Sequence, residues 1–79
     1  MIADSEREKM LRAHSIGPRM IAYFEMIGME RLSDFAGANA EVIATRIDAA
    51  LGHRHMNRNG LEAIGNLIAL AEAETMPPR

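Results

Sequence analysis

Along this chain apolar residues return at intervals of three and four, and no stretch alternates apolar with polar as a half-buried strand would. The pattern predicts short helices and an all-α fold. Ser5 and Glu8 have the spacing of a capping box with Met10 and Leu11 behind them, so a first helix is expected from about Glu6 to Ala13. His14-Ser15-Ile16-Gly17-Pro18 interrupts it. Proline suits the first position of a helix, where its missing N–H would have had no partner, so Pro18 should open a second helix with Met20, Ile21, Phe24 and Ile27 as its apolar stripe. Gly28 stands where a left-handed residue would close that helix, and a turn at Met29 to Leu32 follows.

Ser33 is expected to cap a brief helical connector through Ala36, with Leu32 and Phe35 turned inward. Asn39 then caps a helix in which Ile43, Ile47, Ala50 and Leu51 share a face, and Gly52 stops it. Gly52 to Gly60 has no periodicity and several turn-formers, so it joins two helices. Asn59, with Glu62 three places on, is the expected cap of the last helix, which carries Leu61, Ile64, Leu67, Ile68 and Ala71 and ends near Thr75. Met76-Pro77-Pro78-Arg79 is expected to be a frayed tail. The sum is about five short helices in which helix, turn, helix occurs twice around a connector.

A chain of 79 residues is one domain's worth, and a hydrophobic fraction of 48% with charges of both signs suits a folded core. The absence of cysteine removes disulfides and thiolate metal sites and points to a reducing, cytoplasmic setting. The first ten residues, MIADSEREKM, lack the apolar run of a signal peptide, and nothing approaches the length of a membrane span. A net charge of −2 argues against a wholesale polyanion binder.

Binding chemistry is concentrated in the first hairpin. A turn that enters a helix through small residues leaves main-chain N–H groups unpaired beside the positive end of the helix dipole, a setting that attracts phosphate. Ile16 can anchor such a turn in the core, and Arg19 in the first turn of the helix can reach a phosphate oxygen. The run Ser15-Ile16-Gly17-Pro18-Arg19, then Phe24, Gly28-Met29 and Asp34-Phe35, resembles the helix-hairpin-helix family, whose hairpin reads Gly, hydrophobic, Gly, often with Pro and a basic residue following. Over most of its length the chain is similar to the small bacterial pathogenicity-locus group of that family. The resemblance implies sequence-independent contact of hairpin amides with a nucleic-acid backbone across the minor groove, usually by two hairpins working as a pair. Ser15 replaces the first glycine, and Gly52 to Asn59 lacks the signature, so the second unit is degenerate.

Residues 10 to 24 hold Arg12 and Arg19 without an acid, and residues 49 to 61 hold Arg54 and Arg58 without an acid. If the two connections meet, these arginines and His14, His53 and His55 form a local basic surface. The candidate nucleic-acid-binding residues are therefore Ser15, Ile16, Gly17, Arg19, Arg12, Arg54 and Arg58, with nucleic acid as the expected partner and the choice between DNA and RNA open. His53 and His55 supply only two ligands, too few for a zinc site. Ser5, Ser15 and Ser33 have cap or turn roles and no catalytic constellation is visible, so neither an enzyme, a cofactor nor a small-molecule substrate is expected. The rival reading is a protein-docking or homodimerisation module, for which Met26 and Met29 would supply an apolar patch.

Overall fold

The computed structural model describes residues 1–75, which are helical throughout apart from short connections. The described residues form four α-helices, α1 (Asp4–Leu11), α2 (Pro18–Met26), α3 (Ala40–Leu51) and α4 (Arg58–Thr75), with a single 3₁₀ turn at Leu32–Phe35 and no strand. The connector is that 3₁₀ turn, not a fifth α-helix. The tail expected at Met76–Arg79 lies outside the described residues.

α1 begins two residues before its expected start, and Ser5 lies inside it. Its N-cap is Ala3, with Asp4 and Glu6 in the first turn, where carboxylates complement the exposed amides. Tertiary fastening sets the register. Glu6 accepts the Leu32 N–H at 2.8 Å and the Lys9 ammonium at 3.2 Å, tying α1 to the 3₁₀ turn. Ahead of the helix, Ile2 is buried and its N–H donates to Glu25 at 2.9 Å.

Pro18 does open α2, after an extended Gly17. The helix closes at Gly28, whose φ of 77° is open to glycine at little cost. There the N–H of Met29 reaches the Phe24 carbonyl and that of Gly28 reaches Glu25, the two bonds of a Schellman motif, with Met29 and Phe24 both buried. Arg46 of α3 donates to the Ile27 carbonyl at 2.6 Å, satisfying another acceptor at that end.

The 3₁₀ turn is capped by a neighbour of the expected residue: Asp34 accepts from the Arg31 N–H at 3.1 Å, and Ser33 faces solvent. Leu32 and Phe35 are buried. Asn39 caps α3 by accepting from Glu41 and Val42, and Gly52 ends it. Ala44, rather than the exposed Ala50, joins Ile43 and Ile47 inside. Asn57, not Asn59, caps α4: its side chain accepts from Gly60 at 3.0 Å and its carbonyl from Leu61. The reason is packing, because Met56 sits so close over Gly60 that a Cβ there would lie 2.7 Å from its sulfur.

α4 lies against both α3 and the 3₁₀ turn, burying Ala63, Ile64, Leu67 and Ala71. Phe24 and Phe35 meet edge to face at 4.8 Å between centroids and are wholly buried with Met10 and Ile47. Met29 belongs to this core, so of the two methionines expected to form an apolar patch only Met26 is exposed.

Candidate nucleic-acid interface

The hairpin between α1 and α2 is anchored from within by Ala13 and Ile16, both buried, and by the bond from the Ile16 N–H to the Ala13 carbonyl. From outside, the Asn66 amide of α4 donates to the His14 carbonyl at 3.0 Å. Ser15 is the residue that turns the chain. Its φ is 69°, a left-handed value that costs a non-glycine residue roughly 1–2 kcal/mol, so the first position of the motif does demand what glycine would supply freely.

Gly17 differs. Its backbone is extended, with φ −118° and ψ 179°, and a Cβ there would meet no atom within 4 Å. Its carbonyl accepts from Met20 and Ile21, while nothing among the described residues accepts from the N–H of Gly17 or of Arg19. Those two donors, with an unfilled space beside one of them, stand at the positive end of α2.

The second connection reaches the same helix. The Tyr23 hydroxyl and His55 Nε2 are 2.9 Å apart, and the two rings meet edge to face at 5.3 Å, with His53 against His55 at 6.0 Å. Tyr23 lies one turn after Arg19, and helical side chains lean toward the N-terminus, so the Tyr23–His55 contact lies on the side of α2 that carries Arg19. Asp48 of α3 fixes this loop by accepting from the N–H groups of His55 and Met56, each at 3.0 Å. The Met56 amide, then the His55 amide and the nearby charges of His55 and Arg54, hold the Asp48 carboxyl below its ordinary range. Two main-chain donors of this loop, those of His55 and Met56, are thus taken by Asp48.

The four arginines are not gathered at one point. Arg19 stands at the mouth of α2, and Arg58 in the first turn of α4, on the i, i+4 row that runs through Glu62 to Asn66 and so to the hairpin. Neither forms an ion pair among the described residues. Arg12 is drawn to the last turn of α4, where it pairs with Glu74 at 3.1 Å; the Arg12 side chain is largely exposed and that of Glu74 one third exposed, so the pair is weak. Arg54 lines an open groove of about 320 Å³ between α3 and α4 together with Glu41, Thr45 and Asp48, and faces acids there. Apart from Arg12 and Arg54, the exposed basic side chains on the two connections and the helix starts that follow them are Arg19, Arg58, His14, His53 and His55.

Three residues that organise this surface, Tyr23, Asp48 and Asn66, escape sequence reasoning. Tyr23 alone left a signal, its i+4 spacing from Arg19. No group of three His, Cys, Asp or Glu side chains among the described residues could hold a metal ion, and no described helix is long and apolar enough to cross a membrane. This chain matches no protein-family model, no curated protein and no solved structure.

Proposed function

We propose that this domain is a non-catalytic module that touches the phosphate backbone of nucleic acid weakly and without reading its sequence. The contact runs through the hairpin Ser15-Ile16-Gly17, at the N–H groups of Gly17 and Arg19, with the Arg19 and Arg58 side chains as charged partners and Arg12 and Arg54 at the margin. One observation carries the reading: the N–H of Gly17 has no acceptor among the described residues and there is open space beside its Cα, just ahead of a helix whose first charged side chain is the exposed Arg19. The helix-hairpin-helix resemblance of Ser15 to Arg19 supports it on the residues themselves. Two arginine contacts imply a log–log salt slope of only about −2, hence weak binding at physiological salt. Fluorescence anisotropy of a labelled duplex at two salt concentrations tests the proposal. Affinity should fall with salt and drop further in Arg19→Glu, whereas binding indifferent to both refutes it.

A docking or homodimer role, with the hairpin kept for packing, is favoured by a different observation. Met26 and Val42 are 48% and 57% exposed and flank the Arg46–Ile27 bond that joins α2 to α3. Light scattering across a concentration series separates the two readings, since a monomer at every concentration excludes the homodimer.

A further inference from the structure

We infer that the exposed face of α3 pairs two copies of this chain, the two helices lying parallel about a two-fold axis with Val42 and Thr45 along the seam. The inference rests on the homodimer reading above and gives it a face and a register. Successive residues of a helix advance by about 100°, so Thr45, Ala49 and Val42 form one stripe of α3, with Glu41 bordering it on one side and Arg46 on the other. All five are exposed, because Ile43, Ala44 and Ile47 turn the opposite side of the helix into the core. These positions read as a heptad with Val42 and Ala49 at a, Thr45 at d, Glu41 at g and Arg46 at e. A hollow of about 350 Å³ lined by Asn39, Glu41, Val42, Thr45 and Arg46 opens on that face, as the hole for a partner's knob must.

Charge complementarity selects the occupant. Glu41 and Arg46 stand about 140° apart around α3 and cannot meet on one helix. Neither has an ion pair among the described residues: Arg46 is held by its bond to the Ile27 carbonyl, and Glu41, although it borders the groove that holds Arg54, forms none. A parallel second copy brings each Glu41 to the partner's Arg46, the g-to-e contact, twice across the axis. An antiparallel copy would set Glu41 against Glu41 and Arg46 against Arg46, so the charges fix the direction as well. Val42, 57% exposed, then meets its own counterpart, which covers the large apolar side chain that α3 leaves in water. The helix has 12 residues and is about 18 Å long, a contact at the small end of specific interfaces, so pairing should be weak and concentration-dependent.

The test is sedimentation velocity on the full chain over a concentration series, with cross-linking beside it. The average mass of wild type should rise from that of a monomer toward twice that value, and Val42→Glu should hold it at the monomer. Glu41→Lys and Arg46→Glu should each weaken pairing by about threefold or more, since two exposed attractions become repulsions, and the two changes together should restore it. Arg46→Glu also loses the Ile27 bond, so a second measurement leaves every charge in place. The chain has no cysteine, and Val42→Cys treated with diamide, which takes up the two thiol hydrogens, forms only its symmetric disulfide. The parallel register brings those two Cα atoms within the roughly 7 Å such a bond can span, whereas Ala50→Cys, exposed but off the seam, should remain largely uncross-linked. A dimer that ignores Val42→Glu, that the double charge swap fails to restore, or that Val42→Cys does not lock overturns this face and register while the homodimer reading stands. A monomer at every concentration removes both and leaves the face to a different protein.

Discussion

Ser15 and Gly17 hold the two hairpin positions where the helix-hairpin-helix pattern that the chain resembles has glycine, and the backbone asks opposite things of them. Ser15 sits at φ 69° with its hydroxyl unbonded among the described residues. Ser15→Gly should therefore raise stability by up to about 1 kcal/mol, the relieved strain less the added unfolded-state entropy, read as a higher Tm. Gly17 needs no special φ, and Gly17→Ala should be neutral or stabilising by about 0.4–1 kcal/mol. If phosphate approaches the amide there, the same methyl group occupies its path. A variant that melts no lower than wild type yet binds duplex several-fold more weakly would mark Gly17 as a contact, and unchanged binding would mark it as a helix start only.

At the scale of elements, helix ends were legible where one residue has no rival. Pro18, Gly28, Asn39 and Gly52 each combine a backbone preference with a position that no neighbour can fill as well. The expectation failed where two candidates compete and packing decides. Ser5 gave way because Glu6 is needed by the Leu32 amide, and Asn59 gave way because Met56 over Gly60 fixes where α4 begins. Asn57→Ala should consequently cost about 0.5–2 kcal/mol, and Asn59→Ala almost nothing, a difference that denaturant midpoints would resolve. The candidate interface was less legible than the helices. It depends on Tyr23 meeting His55 across 32 positions and Asn66 meeting His14 across 52, contacts that no local pattern encodes. Charge counting consequently gathered four arginines where packing leaves two.

For the molecule as a whole, two carboxylates tie distant parts together. Glu6 is held below its ordinary range chiefly by the Leu32 amide and then by Lys9, and Asp48 is held below its own chiefly by the Met56 amide. A carboxyl whose folded-state pKa is depressed contributes stability above its unfolded value and loses it as pH falls through the folded one. Thermal stability should therefore be level above about pH 5 and decline below about pH 4. Asp48→Ala should melt lower at neutral pH and show a shallower acid decline, both visible in melts followed by circular dichroism. A decline as steep as that of wild type would remove Asp48 from the account.

The grip of Asp48 on the second loop also makes a single side chain of α3 the latch of a whole connection. Protonation of that one carboxylate weakens the acceptor of the His55 and Met56 amides together. In strong acid this loop should thus come loose from α3 before the helices themselves melt.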